Sequence, residues 1–390
     1  MGIYLNPGNE SFQMSVRSRI YVDKTGLIEY TNSVLESEQR NICVSRPRRF
    51  GKSMAANMLT AYYSKGCDSR EIFRNLAIGK QKDYKEHLNQ YNVIFLNIQR
   101  FLSRAGGTEN VVSYLQEEVL KELKEQYSKL IYPEERMLTV ALESIWEKTK
   151  DGFVFIIDEW DCIFREKQHA VDVQTKYLDF LRDLLKDQPY VKLAYMTGIL
   201  PIKKYGTHSA LNMFDEFSMT DPKRLAEYAG FTESEVAVLC KKYKMDFEET
   251  QKWYDGYRFL QNMHIYSPKS VIDAMLNGRF DSYWTETETY ESLKMYIEMN
   301  FDGLKDAIII MLSGGRYPIN TRKFQNDMTT FKSRDDVLTL LVHLGYLAYD
   351  VNSQEVFIPN QEVEGEFKNA IEDSRWTEIV RTKQKASMCY

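Results

Sequence analysis

The chain has 390 residues, room for two or three domains, and a hydrophobic content of 43% gives it the apolar stock for a proper core. A net charge of −5 excludes a global basic field for nucleic acid or an acidic membrane, and five scattered cysteines, odd in number and without metal-ligand spacing, exclude a disulfide framework. The N-terminal MGIYLNPGNESFQ lacks a basic region leading into an apolar one, and no apolar run approaches membrane-spanning length, so the expectation is a cytoplasmic protein with reduced thiols.

Residues 1–40 read as an approach segment in which Tyr21-Val22-Asp23-Lys24-Thr25 precedes a helix expected from Gly26 to Ser37. Asp23 either belongs to one wall of a base pocket or pairs with Lys24 at the helix start, and both readings stand. Asn41 to Ser45 is short, β-prone and apolar in its middle, as a buried strand should be. A loop from Arg46 to Phe50 follows. Gly51-Lys52-Ser53 then opens a helix that buries Met54, Met58, Leu59 and Tyr62, with Gly66 as its expected stop. A helix start presents unpaired N–H groups and partial positive charge, so phosphate oxygens settle there, and glycine lets the backbone come close. In the P-loop pattern Lys52 reaches the β- and γ-phosphates and the Ser53 hydroxyl ligates Mg²⁺. The expected nucleotide cradle is therefore Arg46, Pro47, Arg48, Arg49, Phe50, Gly51, Lys52, Ser53 and Met54. The pattern asks for glycine where Arg46 stands, and GKS alone occurs in many unrelated loops.

Asn92 to Ile98, NVIFLNI, is a second buried strand. Thr108 is the expected cap of a long amphipathic helix carrying Val111, Tyr114, Leu115, Val119, Leu123 and Tyr127, which Pro133 breaks. A helix with Met137, Leu138, Ala141, Ile145 and Trp146 leads into GFVFIIDEWDC, residues 152–162. There five apolar residues, Phe153 to Ile157, run into Asp158 and Glu159, as a central parallel strand ends at its active edge. Asp158 is placed to hold the metal shell, and Glu159 to orient and deprotonate the attacking water. By itself this stretch equally fits a buried strand whose acidic end meets solvent. Following GKS in the right order, it favours the nucleotide reading, with the basic and acidic pieces meeting across adjacent strands.

A helix over Val171 to Leu185 stops before Pro189, and VKLAYMTG, residues 191–198, is the next strand. Thr197 falls at its tip, where it either touches the γ-phosphate or attacking water, or is a buried hydroxyl bonded to backbone. His208, Ser209 and Asn212 follow without a triad-like context, and Glu216 to Met219 is a candidate fifth strand. Alternating strands and helices mark a parallel sheet covered on both faces.

After Asp221-Pro222 the texture turns helical, with a capping box at Thr232 and Glu235. Tyr254-Asp255-Gly256-Tyr257-Arg258-Phe259 is a compact aromatic turn in which Arg258 is either a phosphate sensor or a packing and ion-pair residue. From Phe301 to Glu366 the chain reads helix, helix, hairpin, a winged helix-turn-helix pattern. Its second helix has few basic residues, which favours a packing module over a base reader. Arg375 to Tyr390 is polar and expected to be a loosely ordered tail.

Taken together, Tyr21 to Thr25, Ser45 to Ser53 (SRPRRFGKS), Ile157-Asp158-Glu159, Thr197-Gly198, Tyr254 to Phe259 and Ile358 to Val363 (IPNQEV) resemble the bacterial AAA-ATPase-like proteins, a divergent P-loop family. In that family an arginine at the position of Arg46 is normal. The resemblance implies an α/β P-loop core with a three-layer parallel sheet over 1–221, a helical lid over 222–300, a winged-helix-like module over 301–374 and a tail over 375–390. It also implies ATP and Mg²⁺ as cofactors, with Lys52, Ser53, Asp158 and Glu159 in the phosphate, metal and water roles. Members are often fused to a C-terminal nuclease-like domain, which is expected to be absent here: Glu366-Phe367-Lys368 mimics a fragment of its signature without a partner aspartate. Three functions are weighed on this basis: a Mg²⁺-dependent regulatory or remodelling ATPase, a nucleotide-gated switch with negligible turnover, and a DNA-binding regulator. The expected partners are ATP, a protein and a second copy of the chain; charge supports neither nucleic acid nor membrane. Arg46, Arg48 and Arg49 are read as phosphate or neighbouring-subunit contacts in preference to surface ion pairs.

Overall fold

A computed structural model describes residues 2–202, 211–259, 263–284, 290–299, 301–324 and 331–372. These residues fall into two compact units, the first comprising 2–45 and 52–217, the second 46–51 and the described residues from 218 onward. The first unit thus ends at Phe217, and residues expected in the lid and in the C-terminal module share the second. His208 and Ser209, and the tail over 375–390, lie outside the described residues. Among those described, no helix is long and apolar enough to cross a membrane.

The first unit is built on five strands, β1 (Asn41–Ser45), β2 (Asn92–Asn97), β3 (Phe153–Asp158), β4 (Val191–Gly198) and β5 (Asp215–Phe217). They lie in the order β2-β3-β4-β1-β5, all parallel. Every residue of β1 and β3 is buried, as in a parallel sheet covered on both faces, which is why these strands are continuous apolar runs. The fold is α/β, with the strand, loop and helix of a P-loop over residues 41–63. The strand order corrects one expectation. The basic and acidic pieces do not sit on adjacent strands, because β4 is inserted between β1 and β3.

Three local expectations change for physical reasons. The helix from Gly26 ends at Val34, where Leu35 turns extended at ψ 135°. The Lys52–Tyr63 helix stops short of Gly66 because Ser64 bridges Tyr91 and Lys65 N donates to Tyr91 O at 2.9 Å, drawing the chain into extended pairing. Gly66 instead admits a close approach of backbone, since a Cβ there would lie 2.2 Å from the Asn6 carbonyl oxygen. Thr108 begins a 3₁₀ turn, Thr108–Asn110, and the long helix starts after it at Val111.

The second unit holds two small antiparallel sheets. One contains β6 (Phe231–Thr232), β7 (Tyr257–Phe259) and β8 (Met263–Tyr266) in the order β6-β8-β7; the other contains β9 (Tyr317–Pro318), β10 (Ala348–Asp350) and β11 (Glu355–Phe357) in the order β10-β11-β9. The capping box at Thr232 is formed, with Glu235 N on Thr232 Oγ1 at 3.4 Å and Thr232 N on Glu235 Oε2 at 2.8 Å, and it starts the helix Glu233–Tyr243. The helices Leu304–Leu312 and Arg334–Leu344 precede the β10–β11 hairpin, and Gly345, at φ 92°, closes the second of them. Two distant motifs interlock here. Gly256, at φ 127°, leaves no room for a side chain, since a Cβ would fall 2.1 Å from Pro359 O; Asn360 Nδ2 donates to Asp255 O at 2.8 Å. Two residues on, buried Glu362 accepts from Tyr283 N (2.6 Å), Trp284 N (2.8 Å) and Ser270 Oγ (2.8 Å).

Candidate active site

The carboxyl edge of the first unit's sheet gathers the polar groups that the apolar strand bodies exclude. Strand register puts Asn97 of β2, Asp158 of β3 and Thr197 of β4 side by side, with Val44 of β1 next in the row. Asp158 is 2% exposed, and its Oδ2 accepts from Asn97 Nδ2 at 3.2 Å. Burial, reinforced by the negative charge of Glu159, pushes the Asp158 carboxyl up to about 6, against the pull of Ser53, Lys52 and Asn97.

Lys52, the first residue of its helix, is 6% exposed. Burial draws its ammonium below the usual lysine range, while Glu159, Asp161 and Asp158, in falling order, hold it up, with Arg165 opposing them. The charge of Lys52 is thus felt by three carboxylates at the ends of β3 and the turn after it. Glu159 takes a left-handed backbone, φ 56°, which costs a side-chain-bearing residue about 1 kcal/mol and tends to mark a functional turn. Its Oε2 accepts from Arg165 Nη2 at 2.5 Å.

The residues present fit a magnesium ion. Asp158 Oδ1 is buried and has no hydrogen-bond partner among the described residues, and the Ser53 side chain is near enough to favour the charged form of that carboxylate. Carboxylate and hydroxyl oxygens are hard donors of the kind Mg²⁺ takes while keeping its remaining positions for water and phosphate. Among the described residues no group of three or more His, Cys, Asp or Glu could form an all-protein cage for a metal. Thr197 Oγ1, on a residue with 0% exposure, likewise has no partner among the described residues; it is the Thr197 carbonyl that is engaged, by Trp160 N at 3.1 Å.

Three residues at this edge were not singled out in the sequence: Asn97, Asp161 and Arg165. Asp161 Oδ2 accepts from Ile199 N (3.0 Å), Leu200 N (2.8 Å) and Arg165 Nε (3.0 Å), which ties the turn after β3 to the end of β4. The only sequence signal was the i,i+4 spacing of Asp161 and Arg165.

The loop residues Arg46–Gly51 pack as part of the second unit. Gly51 at φ 87° and Arg49 at φ 68° make the sharp turn, the first of which asks for glycine. The three loop arginines are placed differently. Arg48 and Arg49 are exposed, whereas Arg46 has 0% exposure and its guanidinium lies over the Phe259 ring, 5.2 Å from the centroid. His343 is driven down to about 3 by burial and, secondarily, by the charge of Arg46. Arg48 O accepts from Trp284 Nε1 at 3.2 Å, Phe50 O from Gly230 N at 3.1 Å, and the Phe50 ring meets Tyr257 edge-on. Pro47 is buried, and Met54 is half-buried in the helix. Arg258 is exposed on β7. Asp23 is occupied locally: Oδ1 accepts from Thr25 N and Oγ1, and Oδ2 from Ala77 N at 2.7 Å.

Compared with known proteins, residues 8–207, just over half of the chain, match the family described as predicted AAA-ATPase. The chain belongs to that family. Within the predicted AAA-ATPases, the match takes in the P-loop strand, the acidic end of β3 and all of β4. A curated relative, an uncharacterized protein in the vnfD 5′ region of Azotobacter chroococcum mcd 1, is 25% identical over 288 residues, 69% of this chain and 51% of its own length. The chain therefore spans about half the length of that relative. Among solved structures, the Walker-type ATPase PabY2304 of Pyrococcus abyssi aligns over 88% of this chain and 94% of its own, at 13% identity and a TM-score of 0.41. The ORC2 protein of Aeropyrum pernix, solved as ADPNP and ADP complexes, aligns over 97% and 99% at 12% identity and a TM-score of 0.37.

Proposed function

We propose that this chain binds ATP with Mg²⁺ and hydrolyses it, working as a regulatory or remodelling ATPase. The observation that carries the reading is the row at the sheet edge: a buried lysine opening a helix, facing Asp158 and Glu159, with two buried oxygens, Asp158 Oδ1 and Thr197 Oγ1, that have no hydrogen bond among the described residues. In this reading Lys52 meets the β- and γ-phosphate oxygens, helped by the backbone after Gly51, and offsets the charge that develops on them. Ser53 and Asp158 would hold a magnesium ion, which when bound would supply positive charge to neutralise the phosphate oxygens. Glu159 accepts a proton from water as its oxygen attacks phosphorus in line; the γ-phosphorus bond to the bridging oxygen breaks and its electron pair leaves with ADP. Thr197 presents its hydroxyl to the water or the γ-phosphate. ADP and phosphate are the sole products, so the use of the reaction is conformational, exerted on a protein partner or a second copy of the chain.

The DNA-binding reading finds less support. In the helix Arg334–Leu344 every residue from Asp336 to His343 is buried, leaving little face to lie in a groove. The test of the ATPase reading is steady-state phosphate release by wild type and Glu159→Gln, with ATP retention measured in parallel. Turnover in wild type that falls by two or more orders of magnitude in Glu159→Gln, with retention intact, is the expected result. A wild type that retains ATP and releases no phosphate makes it a nucleotide-gated switch instead.

A further inference from the structure

We infer that Arg165 and Asp161 are the positioning pair for the water-activating carboxylate: Asp161 anchors Arg165 to the tip of β4, and Arg165 fixes the orientation of Glu159. This deepens the hydrolytic reading and rests on it for its consequence in turnover. Glu159 leaves β3 on a left-handed turn, which orients its backbone but leaves a long, rotatable side chain. One carboxylate oxygen, Oε2, is taken by Arg165 Nη2 at 2.5 Å; Oε1 has no hydrogen bond among the described residues and is left for the water. The arginine that does this is itself immobilised. Its side chain is 8% exposed, and its Nε donates to Asp161 Oδ2, on a side chain of 0% exposure. The same Oδ2 accepts from the amides of Ile199 and Leu200, two and three residues past Thr197.

The arrangement uses the guanidinium as a fork, with Nε for the anchor and Nη2 for the working carboxylate. Such division of labour needs a planar, multi-donor cation, and an ammonium cannot reproduce it. A burial-driven fall in the affinity of Arg165 for its proton is outweighed by Asp161 and then Glu159, so the cation is held charged. Both Glu159 and Thr197 are thereby referred to one rigid carboxylate. A side chain misplaced by about 1 Å at such a site costs up to about 100-fold in rate.

The decisive variant is Arg165→Lys, because it retains the positive charge beside buried Asp161 and so avoids the uncompensated anion that Arg165→Ala would leave. Phosphate release is measured for wild type, Arg165→Lys, Glu159→Gln and the double variant. Dissociation constants are taken with a fluorescent ATP analogue, and crystal structures of wild type and Arg165→Lys are compared. The expected results are a 10- to 100-fold loss of kcat in Arg165→Lys with nucleotide affinity within about 3-fold of wild type, no further loss when Arg165→Lys is added to Glu159→Gln, and a Glu159 carboxylate that has swung away. A Glu159 carboxylate that stays in place in Arg165→Lys overturns the inference, as does a kcat loss that persists undiminished on the Glu159→Gln background. Should wild type release no phosphate while Glu159 is displaced in Arg165→Lys, the positioning role stands and the hydrolytic reading alone falls.

Discussion

Gly198→Ala isolates the steric tightness of the candidate site. Gly198 ends β4 opposite Ser45, and its φ lies outside the left-handed range, so what the glycine provides there is space. A Cβ on this backbone would lie 2.6 Å from Asp161 Oδ1 and 2.7 Å from both Cδ1 and Nε1 of Trp160. That is roughly 0.7–0.8 Å inside ordinary contact, far up the repulsive wall. Neither neighbour can retreat easily, since Trp160 and Asp161 both have 0% exposure and Asp161 is held by two amides and a guanidinium. Overpacking of this kind costs about 1–3 kcal/mol, and stretching one hydrogen bond to the buried carboxylate adds about 1.5–3 kcal/mol. The opposing gain, a stiffer unfolded chain, is only about 0.4–1 kcal/mol. A net loss of about 1.5–5.5 kcal/mol is therefore expected, measured as a lower urea midpoint by circular dichroism with an unchanged slope. Because the displaced groups include the anchor of Arg165, turnover should fall even at temperatures where the variant is fully folded. A Gly198→Ala protein as stable as wild type, and as active, would refute the reasoning.

Lys52→Ala removes the cation that faces Glu159, Asp161 and Asp158, and should weaken ATP binding by about 10- to 100-fold in equilibrium titration while leaving the fold intact by circular dichroism. Trp284→Phe deletes the indole donor to Arg48 O, and the second unit should lose about 1–2 kcal/mol in a melt. Glu362 gives a pH prediction of definite sign. Burial raises its carboxyl from 4.5 to about 6, so between these values the folded state keeps a proton that the unfolded chain has released. Stability of the second unit should rise as pH falls through this window, by about 2 kcal/mol in all, and Glu362→Gln should flatten that slope when the two proteins are melted side by side.

Much of the first unit was legible because its elements are long and sharply punctuated. The continuous apolar run of β3, the helix Val171–Leu185 stopped before Pro189, and β4 running into Thr197-Gly198 all fall where periodicity and turn residues placed them. Lateral order was not legible. Which parallel strands pair depends on crossovers and packing over more than a hundred residues, so the insertion of β4 between β1 and β3 left no local mark. The same holds for side chains whose partners are remote. Arg46, Arg48 and Arg49 are alike in sequence, and only tertiary packing buries the first over Phe259 and exposes the other two. Asp161 looked like one more acid in a turn, since the amides it serves belong to Ile199 and Leu200. Gly256 and Asn360 were both visible in motifs, yet nothing local tied two stretches 105 residues apart.

The left-handed backbone at Glu159 bears on durability as well as on work. Glycine, and to a lesser degree asparagine, adopts that conformation without the steric cost of about 1 kcal/mol borne by glutamate, but Glu159→Gly also takes a carboxylate from the buried Arg165, so the variant should melt no later than wild type, and on the proposed mechanism it would lack the group that takes the proton from water. A laboratory screen that rewarded heat resistance alone would therefore gain nothing from glycine at this one codon.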